Sequence, residues 1–222
     1  MRLVIATRNA HKLNEIRSIL ALPGLTLVDL GAYPNVPEVV EDGVTFESNA
    51  VKKAVIVALS TGEWALADDS GLEVTALNGA PGVHSARYAG EPVSYHANNA
   101  KLMDAIREAK DRGARFRCVI ALSSPKGLTR IVEGTCDGHI IHELRGTAGF
   151  GYDPLFVPSG HDRTFAELGD QVKNGISHRS RALALAKTEW SEVLSGELST
   201  WPRQYLSQSR RRSASEGAPS GA

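Results

Sequence analysis

What most limits the folding options of this chain is a change of hydrophobic period that recurs along it. Short apolar runs alternate with stretches whose apolar residues return every three or four positions, the two periods of strands and of amphipathic helices. "RLVIA" (2–6) reads as an opening strand, and in "HKLNEIRSIL" (11–20) Leu13, Ile16, Ile19 and Leu20 share one helical face before Pro23-Gly24 stops it. "LTLVDL" (25–30) is a second strand. "TFESNAVKKAVIVALSTG" (45–62) is a helix with Phe46, Ala50, Ala54 and Val57 on one face, Glu47 in its first turn and Gly62 past its end. Strands at "WALADD" (64–69) and "LEVTAL" (72–77) precede a loop, "NGAPGVHSARYAGEP" (78–92), and a helix, "SYHANNAKLMDAIREAKD" (94–111). Strands "RFRCVIALSS" (115–124) and "TRIVEGTCDGHI" (129–140) follow, and "SHRSRALALAKTEWSEVL" (177–194) closes as a helix. Hairpin-like and crossover-like connections together imply an α/β, mixed α+β fold around a mixed sheet.

With 222 residues, 42% of them hydrophobic, the chain has enough apolar mass for a single domain over residues 1–206. Residues 207–222, "SQSRRRSASEGAPSGA", are polar and without period, so a disordered tail is expected there. Zero formal net charge excludes a basic nucleic-acid footprint over the whole surface. No segment has the roughly 20 apolar residues of a membrane span, and the apolar stretch of "MRLVIATRNAHK" is too short for a signal-peptide core. Cys118 and Cys136 lack CxxC spacing and read as small core residues in a reducing compartment. A cytoplasmic protein is the expectation.

Four stretches carry chemistry. "TRNAHK", Thr7 to Lys12, joins a strand to a helix, where unpaired backbone N–H groups make an anion seat; the other reading is an ordinary helix start with an exposed lysine. "ADDSG" sets two acids straight after the apolar run 64–67. Carboxylates beside an apolar interior are costly unless compensated, and neighbouring strand side chains point to opposite faces, so the two acids have different tasks. A divalent cation would remove the penalty, with Glu41 or Asp42 as a further acid; a structural cap is the alternative. "GTAGFGYDPLFVP" (146–158) spends three glycines before Phe150, Tyr152 and Asp153, offering either a flat face and polar edge to a base or a bend whose aromatics plug the core. In "KNGISHRSRAL", Ser177 suits an N-cap. Lys173, His178 and Arg179 near a helix start oppose its dipole, which points to an acceptor-rich ligand or, for His178 alone, to a solvated helix start.

In order, "TRNAHK", "FESNAVKKA", "ADDSGL", "GVHSARYAG", "GFGYDP" and "KNGISHR" resemble the motifs of the inosine triphosphate pyrophosphatase family, over about residues 1 to 200. Arg8 departs from that pattern, which often has glycine there. The resemblance implies a long mixed sheet with helices in two lobes and a cleft between them, usually in a homodimer. It implies hydrolysis of deaminated purine triphosphates (ITP, dITP, XTP) to the monophosphate and pyrophosphate, with Mg²⁺. It implies Asp69 as general base and metal ligand, and Glu41 as a further metal ligand. Thr7, Arg8, Asn9, Ala10, His11, Lys12 and Lys53 match triphosphate-binding positions. Ser70, Phe150, Gly151, Tyr152, Asp153, Lys173, His178 and Arg179 match substrate-contacting ones.

On that basis Arg179, which only donates hydrogen bonds, and the ring N–H of His178 favour a C6 carbonyl over the amino group of adenine. Two rivals remain: a nucleotide-binding regulatory module without turnover, against which the paired acids argue, and a pyrophosphatase for modified pyrimidine triphosphates.

Overall fold

The structure, a computed structural model, describes residues 1–199 and Trp201; the expected tail lies outside them. Strands β1 (Arg2–Ile5), β2 (Thr26–Asp29) and β3 (Trp64–Val74) alternate with helices α1 (Ala10–Ile19) and α2 (Phe46–Thr61). Then come α3 (Tyr95–Ala105), β4 (Gly113–Ser123), β5 (Thr129–Ile140), β6 (Phe156–Pro158), α4 (Phe165–Ile176), α5 (His178–Glu189) and α6 (Ser191–Leu194). The six strands form one sheet in the order β2-β1-β3-β4-β5-β6, parallel across β2, β1 and β3 and antiparallel from β3 to β6. This is the mixed sheet that the two connection types imply.

Local signals set the helix starts. The Asn9 side chain caps α1 by accepting from His11 N and Lys12 N, and Thr45 forms a capping box with Ser48 at the start of α2. Gly62 ends α2 in the left-handed conformation, φ 69°. Ser177 caps α5, as its position suggested.

The sheet buries both faces. Leu3, Ile5, Leu66, Cys118 and Ile120 pack under α1 and α5 with Ile16, Leu183 and Trp190. Val4, Ala65, Ala67, Val119 and Ala121 pack under α2 with Phe46, Ala50 and Val57. A third cluster, Leu72, Val74, Leu102, Phe116, Phe156 and Phe165, lies toward α3, β6 and α4.

Three expectations are corrected. "WALADD" and "LEVTAL" are one strand: β3 pairs with β4 continuously from Ala65↔Ser123 to Val74↔Ala114, so the acids lie mid-strand and Ser70-Gly71 continues it. Gly71 is small for another reason: a Cβ there would sit 2.3 Å from the Gly82 carbonyl oxygen and 2.5 Å from Ser85 Oγ. The short 3₁₀ helix Gly82–Arg87 rests against it. The helix expected through residue 111 stops at Ala105, and the closing helix breaks at Trp190 (ψ 22°) before α6. The elements β6 and α4, unpredicted, fill the interval between residues 146 and 177.

Candidate active site

The site grows from the middle of β3. Because side chains alternate along a strand, Asp68 turns toward α1 and α5 and Asp69 toward α2, and both are almost fully buried. Their surroundings differ completely. The Asp68 carboxylate accepts from Arg179 Nε (2.8 Å), Lys12 Nζ (2.6 Å), Ser70 Oγ (2.9 Å) and Cys118 Sγ (3.0 Å). Burial alone would raise its pKa, but Arg179 and Lys12 outweigh that and hold it well below the usual carboxylate range. Asp68 is therefore a fixed negative charge.

Among the described residues Asp69 has a single charged partner at hydrogen-bond distance, Lys53 Nζ at 3.2 Å from Oδ1, while its buried Oδ2 has no hydrogen-bond partner. Burial pushes its pKa up, against the pull of Lys53 and Lys12. Lys53 also donates to Glu41 Oε1 (3.0 Å) and to the Asp68 carbonyl (2.7 Å), which uses all three ammonium protons. Glu41, on the segment before α2, thus meets Asp69 around one ammonium.

A chain of buried charges runs away from Asp68. Arg179 Nη1 contacts Glu15 Oε2, Glu15 Oε1 lies 2.8 Å from Lys173 Nζ, and Lys173 Nζ lies 2.6 Å from Asp153 Oδ2. The six groups alternate in sign: Lys12, Asp68, Arg179, Glu15, Lys173, Asp153. Glu15 is the member that sequence reasoning missed. Its place beside Ile16 inside α1 gave no cue, because its partners come from α4 and α5.

Two clefts meet here. One is lined by Phe116, Phe150, Tyr152, Asp153, Lys173 and His178. The other is lined by Thr7, Arg8, Glu41, Lys53, Asp69 and Arg87. Asn9, Lys12, Ser70 and Ala86 border both, so the two form one groove. Its first end is aromatic. His178 stacks on Phe116 with ring centroids 4.7 Å apart, and its buried Nδ1 has no partner. Burial, then the Arg179 and Lys173 charges, hold His178 well below its usual pKa, so the ring is neutral. Phe150 has Lys173 Nζ 4.5 Å from its centroid and His11 stacked at 5.0 Å. Gly149 permits the loop: at φ 76°, a Cβ there would meet Asp153 Oδ2 at 2.1 Å.

Of the residues singled out by sequence, Asn9, Lys12, Ser70, Phe150, Gly151, Tyr152, Asp153, Lys173, His178 and Arg179 line the aromatic end, and Thr7, Arg8, Glu41, Lys53 and Asp69 the charged end. His11 reaches the groove through its stack on Phe150, whereas Ala10 starts α1 with no contact to either cleft.

Two details alter the expected chemistry. The anion seat at the start of α1 is largely taken, because His11 N and Lys12 N bond Asn9 Oδ1 and Asn9 N bonds Thr7 Oγ1. Arg179 spends four of its five N–H groups on Asp68, Glu15 and Ser70, which leaves one for a ligand.

A groove with a flat aromatic pocket at one end and acids mixed with cations at the other defines the class as a mixed α/β protein shaped for a nucleoside polyphosphate. Residues 3–189 match the sequence model of the Ham1 family, and the chain belongs to that family. It is 53% identical over 188 residues to the dITP/XTP pyrophosphatase of Desulforamulus reducens, covering 84% of this chain and 94% of that protein. It is 55% identical over 188 residues to the dITP/XTP pyrophosphatase of Geobacter sulfurreducens, with the same coverages of 84% and 94%. The solved structure of the Staphylococcus aureus Ham1 protein superposes with a TM-score of 0.79 at 40% identity, covering 89% of this chain and all of that one.

Proposed function

We propose that this chain hydrolyses deaminated purine nucleoside triphosphates, dITP, ITP and XTP, to the monophosphate and pyrophosphate. The observation that carries the reading is the continuity of the groove: the aromatic pocket opens at Ser70 and Lys12 onto the cleft that holds Asp69, Glu41 and Lys53. The relatives named as dITP/XTP pyrophosphatases support the same substrate class.

A magnesium ion fits the acids. Mg²⁺ typically takes one or two carboxylates and completes its shell with water and substrate phosphates. Asp69 and Glu41 are two such carboxylates, and the partnerless Oδ2 of Asp69 is an acceptor awaiting a cation or a proton. No group of three or more acid, histidine or cysteine ligands occurs among the described residues, which suits an ion shared with substrate. When bound, the ion would neutralise phosphate charge and polarise the α-phosphorus.

The protein's own groups do the rest. Lys12 has two ammonium protons beyond its bond to Asp68 and offers them to phosphate. Asp69 Oδ2 accepts the proton of the attacking water as its oxygen bonds to the α-phosphorus; the bond from that phosphorus to the α,β-bridging oxygen breaks, and pyrophosphate leaves. Phe150 and the His178–Phe116 stack form the walls of the base pocket. Lys173 and the remaining N–H of Arg179 only donate. A C6 carbonyl satisfies such donors; the amino group of adenine does not, at a cost of roughly 1–3 kcal/mol.

The test is pyrophosphate release from ITP, dITP, XTP, GTP, ATP and dUTP with Mg²⁺, for wild type and Asp69→Asn. Deaminated purines should lead the panel, and Asp69→Asn should lose at least about 100-fold in kcat while staying folded. Preference for ATP or dUTP, or a folded Asp69→Asn with near-normal kcat, sinks the reading. A homodimer and a cytoplasmic location belong to the same proposal; no helix among the described residues is long and apolar enough to cross a membrane.

A further inference from the structure

The stretch Gly82–Tyr88 has no part in the reaction as written above, although it carries one of the quoted motifs. Its 3₁₀ helix is fixed from beneath. Ser85 Oγ accepts from Leu72 N (2.8 Å) and donates to the Gly82 carbonyl (2.6 Å), while the Tyr152 hydroxyl donates to the Ser85 carbonyl (2.8 Å). That anchoring sets Ala86 at the junction of the two clefts and Arg87 in the wall of the charged one.

The cations of that cleft are not equally committed. Lys53 is held by Glu41 and Asp69, and Lys12 by Asp68. Among the described residues Arg87 has one carboxylate partner, the 73%-exposed Glu91, at 3.9 Å. Arg8 has no carboxylate partner among the described residues and donates only to the Val36 carbonyl, at 3.5 Å. Arg87 in turn donates to the Glu41 carbonyl at 3.2 Å. The two guanidinium groups therefore reach the segment 36–41, whose Pro37, Glu38, Val39 and Glu41 wall the charged cleft and not the aromatic one. Like Lys53 they line the charged cleft and not the aromatic one, but a phosphate draws them away from weak ties only.

We propose that Arg87, beside the Arg8 that the family resemblance already assigns to the triphosphate, binds the terminal phosphates of the substrate and the pyrophosphate product; the assignment rests on the reading of the groove as a nucleoside triphosphate site. A guanidinium fork meets phosphate oxygens in pairs. The two arginines select a triphosphate over shorter nucleotides, because a monophosphate ends before it reaches them.

The test is calorimetric titration of the full chain with inorganic pyrophosphate and, separately, with IMP, in Mg²⁺ buffer. Arg87→Ala should weaken pyrophosphate binding about 10- to 100-fold and leave IMP binding nearly unchanged. Arg87→Lys should recover part of the loss, since it keeps the charge but not the fork, and Arg8→Gly should weaken pyrophosphate in the same direction. Unchanged pyrophosphate affinity in Arg87→Ala, or an equal loss for IMP in Arg87→Ala and Arg87→Lys alike, overturns the assignment. A wild-type protein that binds pyrophosphate through Arg87 yet hydrolyses no triphosphate would refute the hydrolase reading and leave this one standing.

Discussion

Replacing Glu15 with Gln tests the buried charge chain at its centre. Gln fills nearly the same volume, so packing is kept and only the charge goes. Lys12, Arg179 and Lys173 balance Asp68, Glu15 and Asp153; without Glu15, three cations face two acids in a region where Lys173 and Arg179 are at most 2% exposed. Removing one partner of a buried ion pair costs about 3–5 kcal/mol, because the other charge is left uncompensated. For a chain of this size each kcal/mol moves the melting temperature by roughly 2–4 °C, so Glu15→Gln should melt about 6–20 °C below wild type at neutral pH. The pH dependence gives the charge its signature. Burial would raise the Glu15 pKa, but Arg179 and Lys173 outweigh it and hold the folded-state value below the ordinary one. A depressed carboxylate pKa stabilises the fold fully above the unfolded value of about 4.3 and loses that contribution as pH falls through the folded value. The gap between wild type and variant should therefore be widest near neutrality and close as the medium is acidified below about pH 4. Melting curves across that range, followed by circular dichroism, are the assay. A gap of constant size would show that Glu15 acts through packing, and a variant as stable as wild type would refute the reasoning outright.

Gly71→Ala should lower the melting temperature by about 2–12 °C, since the new methyl meets the Gly82 backbone oxygen at 2.3 Å and cannot be relieved by a rotamer change; an unshifted melt would show that the 3₁₀ helix slides freely over β3. Both thiols should resist Ellman's reagent in the native protein and react on unfolding, because Cys118 is fully buried with its pKa pushed well up by burial, and burial raises Cys136 to about 11; fast labelling of either in the folded state contradicts that.

What was legible in the sequence is what local chemistry encodes. The cap at Ser177 and the left-handed Gly62 are short-range signals read from the sequence, and α2 and the start of α5 stand where the pattern puts them. The continuation of β3 through Asp68–Gly71 was not legible, because two adjacent acids and a glycine are local arguments against a strand. They are overruled by Lys12, Lys53 and Arg179, from 15 to 111 residues away in sequence, as the bonds of Lys53 and Arg179 record. The helix α4 escaped notice because Gly169, at φ 74°, interrupts its period, and with it went the setting of Lys173. Glu15 reads as an ordinary surface acid until α4 and α5 bring their cations to it. For β3 and Glu15 the missing information was a tertiary partner.

The same logic separates the two aspartates. Adjacent positions on a strand send Asp68 and Asp69 to opposite faces, so one dipeptide supplies both a fixed charge and a free acceptor. Asp68 takes donors from four side chains, and a carboxylate so engaged gains nothing by picking up a proton. Asp69 keeps one oxygen without a hydrogen-bond partner among the described residues, and burial shifts its pKa upward, as the proposed base role requires. Had both acids been saturated, the cleft would hold charge but lack an acceptor. Had both been free, two buried and poorly compensated carboxylates would have destabilised the strand that carries them. The division of labour therefore follows from the pleat of β3 and from where the cations lie: Lys12 and Arg179 pair with Asp68 on one face, and Lys53 pairs with Asp69 on the other.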